Sequence, residues 1–363
     1  MKLQLNFDNP FLDAVSSVTA IVIGLIAGLI ILLISNASQA FNAFFMILTS
    51  GFSSMANAGQ VLYFATPIIM TGLAVGFSAK TGLFNIGASG QFITGAYAAV
   101  LVGVRCNFLP GHLHWITALA AALLAGAVWG AIPGIFKALF NVNEVISCIM
   151  TNYIGTYFVN FLVINTIYNS SRNESMRVLD TANLPKMGLD RIFADGFRVS
   201  SVNSGIIIAI LFAVLMYFIL EKTSFGYELK ACGYNRDAAR YAGINEKRSI
   251  ILSMTISGSL AGLGGALLYL AGSGTAISVV DILAPEGFNG IPVALLGLSN
   301  PIGIIFSGTF IAYLRVGGFN VQLYNFAPQI IEIIIAVIIY FSAFMLLVKG
   351  LIISYFRGKG KLV

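Results

Sequence analysis

Charge is what this sequence has least of. Only 9% of its 363 residues are Asp, Glu, Lys or Arg, while 58% are hydrophobic and the mean hydropathy is +0.90. No water-soluble domain could cover its surface with so few polar groups. Histidine is scarcer still: the two present, His112 and His114, share the segment GHLHW, which reads as polar loop beside a span and not as a metal cluster. The three cysteines, Cys106, Cys148 and Cys232, have no paired metal-ligand spacing, and Cys148 lies in an apolar run, so neither a disulfide framework nor zinc is expected. Also missing are G-x-x-x-x-G-K-[ST], H-E-x-x-H and G-x-S-x-G. The chain carries no nucleotide-binding or catalytic signature, so the energy for any work must come from elsewhere. Carboxylates within apolar sequence, namely Glu144, Asp281, Glu286 and Glu332, are too dispersed to suggest a proton relay, which weakens an ion-coupled carrier.

What the chain has in abundance is apolar length. Hydrophobic stretches cover 18–35, 41–52, 61–79, 83–104, 115–140, 145–168 and 204–220, and recur within 250–301 and 302–348. They predict an all-α, polytopic transmembrane bundle, with several members short or interrupted. No A-x-A-like cleavage site follows the first stretch closely, so it is expected to remain as a helix. Small residues recur at four-residue spacing in Gly24/Gly28, Gly72/Gly76, Gly126/Gly130/Gly134 and Gly258/Gly262. In lipid, such ridges let backbones approach closely.

Two polar islands interrupt this pattern. Residues 169–203 mix Arg172, Glu174, Arg177, Asp180, Lys186 and Asp190 with few apolar runs and read as a water-exposed loop. Residues 224–249, SFGYELKACGYNRDAARYAGINEKRS, form the second. Within it Asn235 can cap a short helix, Asp237 sits in its first turn, Arg240 in its last, and Gly243 suits a left-handed terminus. The segment is either a solvated loop or a docking element for a soluble partner. One span separates the islands, which puts them on opposite sides of the membrane. The net charge of +6 is gathered mainly in the second island and in a tail with Arg357, Lys359 and Lys361, so it reports on topology and not on nucleic acid. Positive charge inside places 224–249 and the tail in the cytoplasm, and 169–203 outside.

Two stretches resemble each other across the halves of the chain: Gly82-Leu83-Phe84-Asn85-Ile86-Gly87 and Gly287-Phe288-Asn289-Gly290-Ile291-Pro292. A helix broken inside hydrocarbon leaves backbone groups that only protein or a water-filled cavity can satisfy, and paired breaks point to a translocation path. Asn85 and Asn289 would cap half-helices there, with Gln91 about a turn and a half beyond Asn85. The alternative is plain caps of tilted helices near the interface. Glu144 is similarly open: an intramembrane carboxylate is functional by default, yet after Asn141 and Asn143 it also suits a helix N-terminus. Asn152 follows on the face of Cys148 as an inward polar group.

At these residues the sequence resembles the bacterial ABC importer permeases of the branched-chain amino acid, ribose and nucleoside type, most closely the nucleoside, simple-sugar-like permeases. Four segments carry the likeness: TGLFNIGASGQFITGAYAA at 81–99, NEVISCIMTNYIG at 143–155, GYNRDAARYAGI with ISGSLAGLGGA across 233–266, and EGFNGIPVALLGLSNPIGI at 286–304. The chain departs from that pattern at Ser89, where Glu is usual, and at Pro292, where Ala is usual. The first change removes a charge near the presumed path.

The resemblance implies a type II importer-like permease of about ten helices, 1–363 forming one transmembrane permease domain in the bacterial plasma membrane. It implies a second similar permease, a cytoplasmic ATPase that holds ATP and Mg, and an extracytoplasmic binding lipoprotein, with no cofactor on this chain and no nucleic acid. Segment 224–249 matches the coupling region, which assigns Gly233, Arg236, Ala238, Ala239, Arg240, Tyr241 and Gly243 to the ATPase contact. Small Ala238 and Ala239 would let the helix seat in a groove, and Arg236 and Arg240 would meet acidic groups on its rim. The expected substrate path carries Asn85, Gln91, Glu144, Asn152 and Asn289, and the expected cargo is a nucleoside. A sugar or amino-acid permease and an ion-coupled transporter are the alternatives.

Overall fold

The computed structural model describes residues 10–196 and 198–343, so the basic tail lies outside the described residues. In order, the helices are α1 (Pro10–Ser35), α2 (Ala40–Thr49), α3 (Met55–Lys80), α4 (Ala88–Arg105), α5 (Gly111–Phe140) and α6 (Glu144–Thr166). A polar segment follows with two minimal antiparallel hairpins, β1 (Tyr168–Asn169) with β2 (Glu174–Ser175) and β3 (Ala194–Asp195) with β4 (Arg198–Val199), and the single turn α7 (Leu189–Ile192). Then come α8 (Gly205–Lys222), α9 (Ser224–Tyr234), α10 (Arg236–Tyr241), α11 (Glu246–Tyr269), α12 (Pro285–Phe288), α13 (Gly290–Leu296), α14 (Pro301–Val321) and α15 (Pro328–Ala343). Six helical segments among the described residues are long and apolar enough to cross a membrane: Met55–Lys80, Gly111–Phe140, Glu144–Thr166, Gly205–Lys222, Glu246–Tyr269 and Pro301–Tyr324.

Helix starts follow local chemistry. Ser54 accepts from the Asn57 amide at 3.2 Å, Asn143 from Val145 at 2.9 Å and Asn245 from Arg248 at 3.1 Å, each satisfying an orphan donor of the first turn of α3, α6 and α11. At the other end of α5, Asn141 takes a left-handed conformation with φ 51° and closes the helix.

The chain divides into two compact units, Met1–Gly51 with Leu314–Val363, and Phe52–Tyr313. In the first, Gly28 of α1 meets Ile334 of α15, and Gly317 receives the backbone of Ile47. In the second, α11 is the central post, buried along most of its length and packed on α3, α4 and α5. The glycine ridges account for this closeness. A methyl on Gly258 would overlap the Gly126 carbonyl, one on Gly262 would lie 2.6 Å from the Ala122 carbonyl oxygen, and one on Gly130 would lie 2.5 Å from that of Met254. Backbone therefore lies against backbone along α5 and α11, and dispersion and dipole contacts replace the apolar drive that lipid does not supply. Gly72 and Gly76 serve differently, receiving the side chains of Val293 and Ile304.

One sequence expectation needs correction. His114 is not loop but the fourth residue of α5, fully buried, with Nε2 2.9 Å from the Val102 carbonyl and Nδ1 2.9 Å from Thr181 Oγ1. It pins the 169–203 segment to α4 and α5, a structural use of the polar ring.

Gly258→Ala should force α5 and α11 apart at a cost of about 2 kcal/mol, the usual range for overpacking a close-packed site. Gly111→Ala, where nothing lies within 4 Å, serves as the control. Thermal melting of the purified protein in detergent should show a lowered midpoint for the first variant and none for the second; equal midpoints would refute the close-packed ridge.

Candidate functional site

The break at 81–87 is the most heavily bonded point of the larger unit. It lies beside Ser253 and Ser257, about 12 and 18 Å along α11 from its Asn245 cap, so α4 begins well inside the bundle. Gly82 has φ 70° and turns the chain; Thr81, Leu83 and Asn85 are all buried. Backbone groups stranded there need partners from other helices.

Those partners are side-chain amides. Asn85 and Gln91 form a reciprocal pair, Asn85 Nδ2 donating to Gln91 Oε1 at 2.8 Å and Gln91 Nε2 to Asn85 Oδ1 at 3.2 Å. Asn85 Nδ2 also donates to Ser257 Oγ at 2.6 Å, and Ser257 donates in turn to the Ala74 carbonyl at 2.5 Å. The Cys148 thiol donates to Asn85 Oδ1 at 3.7 Å. From α6, Asn152 clamps both flanks of the turn, its Oδ1 accepting from the Gly90 amide at 2.8 Å and its Nδ2 donating to the Ile86 carbonyl at 3.0 Å. Asn85, Gln91 and Asn152 are at most 1% exposed. Three of the residues expected on a path are thus one closed, neutral network holding α3, α4, α6 and α11.

The capping expectation fails. Gly87 occupies the N-cap position of α4, and Asn85 caps nothing because its amide is spent on Gln91 and Ser257. Asn289 does stand between α12 and α13, half-buried, but its side chain makes no cap bond. The second stretch packs through its glycines on α4 and α3. Gly287 lies against the backbone of Ala88 and Ser89, Gly290 against Thr71 and Gly72, and Ser89 donates to the Ala284 carbonyl at 2.8 Å. Ser89 is fully buried under Gly287, so the position has room for a small side chain and little more.

Glu144 lies outside this network. As the first residue of α6, behind its Asn143 cap, it forms an ion pair with Lys137 of α5 at 2.8 Å. Four residues on, Cys148 carries the same helix face to Asn85.

Segment 224–249 folds as two helices, with α10 as the sequence implies. Asn235 Oδ1 accepts from the Ala238 amide at 3.0 Å, and Gly243 closes α10 with φ 86°. Ala239 turns inward and is 4% exposed, whereas Ala238 and Arg240 are exposed. Burial pushes the Cys232 thiol of α9 up from its ordinary value, which keeps it a neutral packing group. Sequence reasoning missed two features here. Tyr227 and Tyr234 stand out at 70% and 90% exposure beside Tyr241 at 94%, a seven-residue spacing that could have flagged them. Between α9 and α10 is a cleft of about 440 Å³ lined by Tyr227, Glu228, Ala231, Tyr234, Ala238 and Ala242, among others.

The segment and the break are in direct contact. Gly233, near the end of α9, lies so close under the turn that a methyl there would overlap the Lys80 carbonyl and sit 3.1 Å from the Gly82 amide nitrogen.

The family model described as branched-chain amino acid transport system / permease component matches residues 57–343. A guanosine ABC transporter permease protein of Bacillus subtilis is 38% identical over 89% of this chain and 91% of its own length. A nucleoside ABC transporter permease protein of Lactococcus lactis is 33% identical over 91% of this chain and 90% of its own, and a glucose ABC transporter permease protein of Haloferax volcanii 33% identical over 83% and 79%. No solved structure matches the chain significantly.

Replacing Asn85 by Leu leaves Gln91 and Ser257 without their buried partner, a loss of about 2 kcal/mol on the usual scale for orphaned polar groups. Asn289→Leu, at a half-buried side chain without a cap bond, should change stability by about 0.5 kcal/mol or less. Melting midpoints of the two purified variants against the parent chain measure the difference, and a similar shift in both contradicts the network's role.

Proposed function

This chain belongs to the family of branched-chain amino acid transport system permease components, and on that footing we propose that it imports nucleosides as the membrane subunit of an ATP-binding cassette transporter. It is a multi-pass membrane protein and a transport subunit, not an enzyme. Hydrolysis of ATP with Mg belongs to a separate cytoplasmic subunit, a second permease completes the membrane part, and an extracytoplasmic lipoprotein delivers the solute. The setting is the bacterial plasma membrane, with 224–249 inside and 169–203 outside. Adding α1, α2, α4 and α15 to the six spanning segments gives the ten helices of the proposed bundle.

The observation that carries this reading is the exposed, capped helix α10 joined by Gly233 to the 81–87 turn. A helix presenting Arg240 and Tyr241 to solvent, with Arg236 half-buried beside them, is a handle for another protein. Its attachment is backbone on backbone, so a displacement of α9 and α10 reaches the turn without being absorbed by side-chain rotation. From there the amide network passes it to α3, α4, α6 and α11. In this reading Asn85, Gln91 and Asn152 form the closed side of the path, Asn289 lies at the second break, and Glu144 with Lys137 ties α6 to α5. Nucleosides are favoured over a sugar because the Bacillus subtilis and Lactococcus lactis permease proteins named above for guanosine and nucleosides align over 89% and 91% of the chain, and the one named for glucose over 83%.

ATP-dependent uptake of labelled guanosine into proteoliposomes containing the assembled importer tests the cargo. Uptake driven by an ion gradient with this chain alone would overturn the ATP-binding cassette reading, and uptake of glucose without guanosine would overturn the cargo. For the handle, Arg236→Glu combined with Arg240→Glu should abolish co-purification with the ATPase. Gly233→Ala should leave that association intact yet lower uptake about tenfold or more, since a misplaced contact far from the chemistry costs on this scale; undiminished uptake would refute the joint.

A further inference from the structure

Helix α6 turns Cys148, Asn152, Val159 and Val163 inward and leaves Met150, Tyr153, Tyr157 and Phe161 exposed. A similar exposed flank on α8 carries Ile207, Ile210, Leu211, Val214, Leu215 and Phe218, hydrocarbon throughout, as lipid requires. The α6 flank differs in two respects. First, Tyr153 and Tyr157 are 47% and 51% exposed, and they lie about 14 and 20 Å along a helix about 34 Å long. Their hydroxyls reach the flank at mid-span, where acyl chains offer no hydrogen-bond partner. Second, a carboxylate lies beside them. Asn160 Nδ2 donates to the Val280 carbonyl at 2.9 Å and to Asp281 Oδ1 at 3.2 Å, which brings exposed Asp281 against α6 about 9 Å inside its Thr166 end. At about 100° per residue, Tyr153 and Tyr157 are about 20° and 60° around the helix from Asn160, on the edge that the Asp281 loop borders. The same flank also exposes Ile146, Ile149, Ile154 and Ile164; a carboxylate and two phenols among them are costly against hydrocarbon at this depth and suit the wall of an aqueous path.

We propose that Tyr153, Tyr157 and Asp281 form a nucleoside subsite on that path, which rests on the nucleoside reading above. The flat base lies on the phenol rings, whose faces accept any base by stacking. The ribose cis-diol donates its two hydroxyl hydrogens to Asp281, which has acceptor capacity beyond its bond to Asn160. The subsite therefore prefers ribonucleosides to sugars without a base and to nucleosides without the diol. Its two tyrosines stand about 100° and 140° around α6 from Asn152, so the same helix carries the network on one flank and the subsite on another.

The test uses the assembled importer with all its subunits, irradiated with an 8-azidopurine ribonucleoside or its 2′,3′-dideoxy form. Label should map to α6. Asp281→Asn, close in size, should lower labelling by the ribonucleoside about tenfold while leaving the dideoxy compound unchanged. Tyr153→Leu with Tyr157→Leu should lower both about tenfold, and the matching Phe pair, which keeps the rings, should hold both near the parent level. Co-purification with the partner subunits checks that each variant assembles. Label on another helix, undiminished labelling in both variants, or equal losses for the two sugars at Asp281→Asn would overturn the subsite and leave the flank to lipid or to the second permease. If the parent importer moves guanosine while these results fail, the subsite alone falls; if it moves no nucleoside, the cargo reading falls and takes the subsite with it.

Discussion

Inside hydrocarbon a helix that stops must hand its unpaired backbone groups to other protein, and residues 81–87 stop one helix and start another deep in this bundle. Everything nearby is arranged to receive those groups. Asn152 clamps Ile86 and Gly90, Ser253 meets Thr81, and Asn85 closes on Gln91, Ser257 and Cys148. Because each amide has one set of partners, the helices that supply them have one relative placement, which apolar packing against lipid would not specify. The turn is a break in the helix path that bonds from four helices hold in place.

Small residues make that arrangement possible. Gly258 and Gly262 of α11 bring it against the α5 backbone, and Gly287 and Gly290 bring the second break against α4 and α3. Gly233 does the same for α9 under the turn. Contacts of this kind transmit position with little slack, since no rotamer stands between the two backbones. Helix α10 follows directly on α9 and so is held near the turn through Gly233.

Much of this was legible. The cap Asn235, the glycine ridges along α5 and α11 and the breaks near 81–87 and 287–292 follow from local chemistry and from the requirements of lipid, and the structure uses each of them. Asn85 read as a cap because asparagine before a helix start is often one; six residues of separation hid its pairing with Gln91, and 172 hid Ser257. His114 read as loop because its partners, Val102 and Thr181, come from distant segments.

The sequence by itself determined the class of molecule, the positions of its helices and breaks, and the presence of a polar handle, because hydropathy, capping and the cost of bare backbone in lipid act over short stretches of chain. Only the tertiary structure decided what each polar side chain is for. Asn85, Gln91 and Asn152 became a closed network, Glu144 an ion pair with Lys137, and another face of α6 an exposed flank bearing Tyr153 and Tyr157. An amide or carboxylate is defined by its partner, and in this chain most partners are brought close by folding from far away in sequence.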